Sequence, residues 1–462
     1  MRNGLDNNAG QDGIEYTGRY LILLPQSDNT DHVDSLKEAS GLNLLSSTAF
    51  ENEIFTAEDL QGTDGIVLDK LGIAIVNSIP EQLAGISALG TDENPVVFEP
   101  ERVVYATGTN NLNQNYLKGY VDAVNNMATE LLVEDEEETK GDDGSGVESV
   151  GSTWGLQATA VIPTILMRKY SAAGIKVAVL DTGFEFNHPD FAGRNVVQQS
   201  FIPGETSADG HGHGTHCIGT SCGPLNVVNS SQPRYGIGYN ATIFVGKVLS
   251  NIGRGADSGI LAGINWAVAN HCAVISMSLG APANASGFSA VFEAAASRAL
   301  AQGSLIVAAA GNDSNRPSVI KPVGHPANCP SIMAVGALDV NMKLASFSNG
   351  GIFTPYGSVD IAAPGVGVFS STKLPAKYAT MNGTSMATPH VAGIAALWAE
   401  SSGLRGSALW NKLIQTAKRL NLPSRDVGAG LVQAPSKSVL IPFPTPIPII
   451  SPIPKKEVVK EV

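Results

Sequence analysis

Between residues 151 and 437, unbroken apolar runs rich in β-branched residues recur at 175–180, 242–248, 273–277, 305–309 and 332–335. Stretches with helical spacing of their apolar positions lie among them, at 213–221, 258–270, 287–302 and 385–400. A strand with one wet face alternates apolar and polar residues, whereas a strand buried on both faces reads as a continuous apolar run. Continuous strands separated by helices therefore predict an α/β domain over 151–437, with a doubly wound, mostly parallel sheet and helices on both faces. No internal repeat is evident.

Residues 17–105 carry a different pattern. Strands are expected at 19–24, within 65–77 and at 96–105, with a further short strand in 44–50. Helical spacing marks 31–39 and 80–89, the second opened by Ser78 or Pro80 and closed by Gly90. The order predicts a small α+β unit of the ferredoxin-like β-α-β-β-α-β type, with two helices on one face of an antiparallel sheet.

The remaining segments lack such patterns. Residues 1–16 read as a flexible N-terminus. Residues 106–150 read as an acidic linker with a candidate processing site, in which a helical stretch at 111–133 precedes the acidic run. Seven acids against Lys140 give 134–143 a charge of −6, and such runs repel and stay extended. The tail, 438–462, alternates proline with apolar residues over 441–454, which excludes helix and central strand and reads as polyproline II, either a spacer or a strap.

Charge changes the picture little beyond that linker. The 462 residues carry 29 Lys and Arg against 42 Asp and Glu, a net −13, and no basic stripe, so nucleic acid is not an expected partner. No run is long and apolar enough to span a membrane, and a membrane partner is not expected. Four cysteines, Cys217, Cys222, Cys272 and Cys329, follow no zinc spacing and require no oxidising compartment. With no secretory signal visible, a cytoplasmic location is the expectation, or a secreted one if an export sequence has been removed.

Candidate chemistry sits at element ends. An apolar strand delivers Asp181 at its carboxyl end (VAVLDTG, 177–183), where sites form in open α/β sheets. His213 stands among glycines in DGHGHGTHC, 209–217, at the start of a helix. Ser385 opens an apolar helix in NGTSMATPH, 382–390, whose proline is expected in the first turn, where its missing N–H leaves nothing unpaired. A fourth run ends in Asn312, whose amide would donate to a developing oxyanion together with the Ser385 N–H. A hydroxyl nucleophile, a base of near-neutral pKa and a carboxylate to hold its tautomer are the needs of acyl transfer. Each alone has a plainer role as cap, turn residue or surface histidine.

Together, in this order and spacing, these motifs resemble the subtilisin-like serine proteases over 151–437. The resemblance implies that Asp181 orients His213, that His213 is the general base, that Ser385 attacks and that Asn312 stabilises the oxyanion, in the family on which these roles were established. It selects His213 as the base by the Gly-Thr-His that follows, leaving His216 to the helix interior and His211 to the cleft rim; a three-histidine zinc site is not expected. It implies a peptide or protein substrate clamped as an added strand between Gly253-Arg254-Gly255 and Ser278-Leu279-Gly280. The pocket before the cut would be walled by Ala309 and Gly311, rimmed by Asp313 and floored near Gly324, with Asp313 and an outer Asp257 favouring basic groups. No cofactor is required by this chemistry. Calcium is common in the family, and Asp190 resembles one of its ligands, although 223–235 departs from the usual calcium loop. Residues 17–105 resemble the family's inhibitory propeptide, with 99–105 lying in the cleft and a cut near Tyr105 or in the acidic linker. The expectation is a monomeric serine endopeptidase made as a self-inhibited zymogen. The alternatives are a specialised protease that removes the leader of one intracellular precursor, and a peptide-binding protein that does not cleave.

Overall fold

The computed structural model describes residues 14–24, 32–47, 63–77, 80–91, 96–107, 151–162, 170–283, 287–352 and 357–435. The helix expected at 111–133, the acidic run 134–143 and the proline-rich segment 441–454 lie outside the described residues.

In chain order the strands are β1 (Tyr16–Leu23), β2 (Leu44–Ser46), β3 (Gly65–Leu68), β4 (Ile73–Val76), β5 (Val97–Ala106), β6 (Lys176–Asp181), β7 (Val196–Ser200), β8 (Thr242–Lys247), β9 (Arg254–Ala256), β10 (Val274–Met277), β11 (Leu279–Gly280), β12 (Leu305–Ala309), β13 (Met333–Leu338), β14 (Ile361–Pro364), β15 (Val368–Ser371) and β16 (Tyr378–Met381). The helices are α1 (His32–Ser40), α2 (Pro80–Ser87), α3 (Trp154–Ala158), α4 (His213–Cys222), α5 (Asp257–Ala269), α6 (Ala290–Ala301), α7 (Thr384–Ser402), α8 (Gly406–Thr416) and α9 (Ser424–Val427).

The large sheet runs β14-β13-β12-β10-β6-β8-β7, and every neighbouring pair in it is parallel. Its central strands are mostly apolar because each face meets helices, whereas the edge strand β7 reads VVQQS. Val177, Val179, Val274, Leu305 and Val307 join a core with α4 and α7. The intervening Ala178, Leu180, Ile275, Ile306 and Ala308 join a second core with α5 and α6. The sheet order doubles back beside β6, which puts Asp181 at the carboxyl edge where α/β sites form.

The N-terminal sheet runs β5-β1-β4-β3-β2. The pairs β5-β1, β1-β4 and β4-β3 are antiparallel, and β2 adds a parallel edge. The 65–77 region divides into a hairpin, turning where the Leu71 N–H bonds to the Leu68 carbonyl. One face packs Ile22, Val67, Ala74 and Val76 against Leu36 of α1 and Ile86 of α2. The other face, with Leu21, Ile66, Leu68, Ile73 and Ile75, joins the core that contains α5 and α6. The sheet continues beyond its own domain: β5 pairs with β9 and β11 of the large domain.

Candidate active site

Four segments bring their chemistry to the carboxyl edge of the large sheet. Asp181 ends β6, and its Oδ1 lies 2.7 Å from His213 Nδ1 at the start of α4. Both side chains are buried. Asp209 holds the turn before α4: its oxygens accept from the Gly212 N–H (2.7 Å), the Thr215 N–H (2.8 Å) and the Thr182 hydroxyl (2.9 Å). These bonds satisfy donors that a helix start leaves open. Gly214 must be glycine, because a Cβ there would lie 2.3 Å from the Gly183 carbonyl oxygen. Burial pulls the His213 imidazole down, but the Asp181 carboxylate and the Cys217 sulfur outweigh it and hold it well above its ordinary value.

Ser385 is the second residue of α7. The expectation that Pro389 lies in the first turn is corrected: it is the sixth residue of the helix. Its missing N–H would have bonded to the Ser385 carbonyl. That carbonyl is instead satisfied by the Ser278 hydroxyl at 2.8 Å and the Cys217 thiol at 3.6 Å. Pro389 thus opens the backbone at the serine to side chains from β10's end and α4.

Asn312 follows β12. Its Oδ1 accepts from both the N–H and the hydroxyl of Thr384, each at 2.9 Å. This double acceptance fixes which end of the amide is oxygen and turns Nδ2 into the cleft. There it donates to the carbonyl of Thr107. Ser385 Oγ donates to the same oxygen at 2.7 Å. Gly383 leaves room, since a Cβ on it would stand 2.9 Å from that oxygen. With Oγ turned to Thr107, His213 Nε2 is buried with no hydrogen-bond partner among the described residues. The Asp–His link is made and the His–Ser link is open.

The chain arriving at Ser385 is β5. Val103, Val104 and Tyr105 pair with Ala256, Gly255 and Arg254, while Tyr105 and Ala106 pair with Gly280 and Leu279. The Ala106 N–H bonds to the Gly253 carbonyl at 2.9 Å, and the Thr107 N–H reaches the Ser278 carbonyl at 3.4 Å. All six clamp residues read from the sequence therefore touch one extended segment. It runs two residues beyond the Tyr105 expected to end it. Ala309, Gly311, Asp313 and Gly324 line a cavity of about 260 Å³ beside Thr107.

The two residues read as attractive to basic groups differ in setting, Asp257 being buried and Asp313 exposed. Asp257 is buried, with Oδ1 2.9 Å from His325 Nε2 and Oδ2 accepting from the Arg102 backbone N–H at 3.1 Å. Asp313 accepts from Asn349 Nδ2 at 2.9 Å. Sequence reasoning also missed Thr384 and Asp209 as positioning groups, although both stand inside the quoted motifs.

Metal chemistry finds little support among the described residues. His216 Nε2 lies 3.0 Å from the Val368 carbonyl, and burial lowers its pKa to about 3, so it is a neutral donor inside α4. His211 sits half-buried at the rim, its ring 6.1 Å from that of His213. The ligand atoms of Asp181, His213 and Cys217 lie within 4.8 Å of one another, but Nδ1 is committed to Asp181. Asp190 is buried, one oxygen accepting from the Val228 N–H at 2.8 Å and the other from the Tyr235 hydroxyl at 2.7 Å.

Residues 172–430 match the model of the subtilase family, Peptidase S8. The chain belongs to the subtilase family. Among its subtilase relatives, subtilisin E of Bacillus subtilis (strain 168) is 40% identical over 237 residues, 51% of this chain and 58% of that protein. Subtilisin BL of Lederbergia lenta is 42% identical over 284 residues, 61% of this chain and 96% of its own length. Alkaline elastase YaB of a Bacillus species is 41% identical over 284 residues, 61% of this chain and 68% of that protein. The aligned stretch thus spans little more than half of subtilisin E.

Proposed function

We propose that this subtilase is a serine endopeptidase whose own N-terminal domain, here residues 14–107, fills the active cleft as an inhibitory propeptide and is cut from it after Thr107. One observation carries this reading. The Thr107 carbonyl is held between Ser385 Oγ and Asn312 Nδ2, at the end of a strand paired on both sides.

The chemistry follows from those positions. His213 takes the Ser385 proton on Nε2 as Oγ attacks the Thr107 carbonyl carbon, and Asp181 holds Nδ1 and balances the imidazolium. Asn312 donates to the oxygen as charge develops there. His213 then passes its proton to the departing amine of residue 108, leaving Thr107 acylated on Ser385. Water, deprotonated by His213, releases the acid and restores the hydroxyl. The same sequence acts on other peptides once the cleft is vacated, with no cofactor required.

The docking of the N-terminal domain supports inhibition. Its ferredoxin-like sheet buries one face on the large domain, and Glu99 and Glu101 reach two helix starts. Glu99 accepts from the Ala290 N–H at 2.6 Å on α6, and Glu101 from the Ser258 N–H at 2.9 Å on α5. Carboxylates are stabilised at helix N-termini by open N–H groups and by the helix dipole.

A fluorophosphonate probe and a casein digest test the activity. The processed wild type takes one probe and digests casein; Ser385→Ala does neither. A wild type that binds casein fragments without digesting them and takes no probe belongs to the non-cleaving reading.

A further inference from the structure

Tyr105 and Arg254 stand directly opposite in the antiparallel β5-β9 pairing. Opposed residues of antiparallel strands project to the same face and interact. Counting back from Thr107, Tyr105 is the third residue before the cut, so Arg254 faces the third side chain of any peptide bound in this way. In the clamped strand that side chain is neutral, and the cation is answered from elsewhere. Glu15, beside β1, forms an ion pair with Arg254 through one oxygen. Its other oxygen accepts from the Tyr105 hydroxyl at 2.5 Å. Glu15 is held there because its carbonyl accepts from the Val103 N–H at 2.8 Å. The N-terminal domain thus delivers a carboxylate into the space between the third side chain and Arg254.

When that domain leaves, Glu15 leaves with it. Arg254 keeps its place on β9, which Ser250 supports by bonding to the Arg254 carbonyl at 2.8 Å. The acids once read as favouring basic substrates do not replace Glu15. Asp257 stays buried against His325 once the Arg102 N–H has left its other oxygen, and Asp313 lies at the cavity beside Thr107, where it accepts from Asn349.

We propose that Arg254 is a specificity-determining residue that selects substrates with an acidic side chain three positions before the cut, and that Glu15 occupies this subsite in the uncut chain. The inference rests on the reading of residues 102–107 as the segment bound in the cleft. A long glutamate suits the subsite better than aspartate, because Glu15 reaches Arg254 from a neighbouring strand. The guanidinium is partly exposed, so the preference is moderate and salt-sensitive.

The test compares acetyl-Val-X-Ala-Thr-aminomethylcoumarin peptides, with X as Glu, Gln, Ala or Lys, on the self-processed full chain. Active sites are counted with the fluorophosphonate probe. The expected kcat/KM for Glu exceeds that for its isostere Gln by about 3- to 5-fold and that for Lys by about 10-fold, the range for a partly exposed pair. Half-molar salt shrinks the ratio. In Arg254→Ala the Glu and Gln peptides are cut equally, and in Arg254→Glu the order reverses in favour of Lys, which a merely structural role would not produce. If all four peptides are cut alike by the wild type, the inference fails while the proposed activity stands. If none is cut and no probe is taken up, the proposed activity fails and the inference with it.

Discussion

The two sheets of this molecule solve the same burial problem in different ways. The large sheet covers both faces with its own helices, α4 and α7 on one side and α5 and α6 on the other. The N-terminal sheet covers only one face, with α1 and α2. Its second face, including Leu21, Ile66 and Ile73, is fully buried only because it lies on α5 and α6. A small domain with a single thin core is marginal alone. The difference teaches that the large sheet is completed by its own helices, whereas the N-terminal sheet is completed by the surface it docks on.

That contrast predicts chemical sensitivity on one side and docking sensitivity on the other. The largest effect is expected from Asp181→Asn. Turnover falls by about 10⁴, the loss established for the aspartate of such triads. The variant also removes the carboxylate that raises His213, leaving burial opposed only by the Cys217 sulfur. Because the base must be neutral, the rising limb of kcat/KM moves to lower pH as the plateau drops. An unmoved limb would mean that Asp181 does not control His213.

Asn312→Ala comes next. Losing one oxyanion donor costs about 100- to 1,000-fold in kcat, a figure for which subtilisin itself is the worked case. KM should change little, and thermal unfolding of the large domain should stay in place. A loss confined to KM would contradict an oxyanion role.

Leu21→Ala attacks the other sheet. Truncating a buried leucine costs about 2–5 kcal/mol, here drawn from the N-terminal domain and its docking. In an uncleavable Ser385→Ala background, the N-terminal domain should release at lower denaturant while the large domain unfolds unchanged. One merged transition shifted as a whole would show that the two sheets form one cooperative unit.

The smallest effect is expected from Glu101→Gln. It removes the charge at the α5 start and the ion pair with Arg19, while an amide oxygen can still accept from Ser258. Helix-terminal charges contribute up to about 2 kcal/mol in partly buried geometry. The released N-terminal fragment should rebind up to about 30-fold more weakly, by calorimetry, with no change in kcat of the large domain.

Five of the seven strands of the large sheet were legible because burial on both faces writes them as unbroken apolar runs, while β7, with its glutamines, and the short β14 were missed. The expected run 305–309 coincides with β12, and 242–248 overshoots β8 by one residue. The places of Asp181, His213, Asn312 and Ser385 were legible because each stands in a compact motif near the end of a strand or the start of a helix. What escaped depends on partners far along the chain. β5 continues to Ala106, and Thr107 beyond it, because β9 and β11 extend the pairing about 150 and 175 residues away, which no local pattern records. Asp257 could not be read as engaged, because His325 meets it only in the folded chain. Pro389 falls in the second turn, because the helix starts at Thr384, one residue before the Ser385 expected to open it. Asp190 matched a ligand pattern, and its hydrogen bond from Tyr235, 45 residues on, is a contact that no local pattern records.

The most direct measurement is the intact mass of the purified full chain over time, beside Ser385→Ala. The account predicts that the wild type splits once between Thr107 and residue 108, yielding an N-terminal fragment that stays bound, while Ser385→Ala remains whole. A first cut in the acidic segment 134–143, or splitting of the serine variant at the same rate, would contradict the claim that Ser385 is poised on the Thr107 carbonyl to cut it.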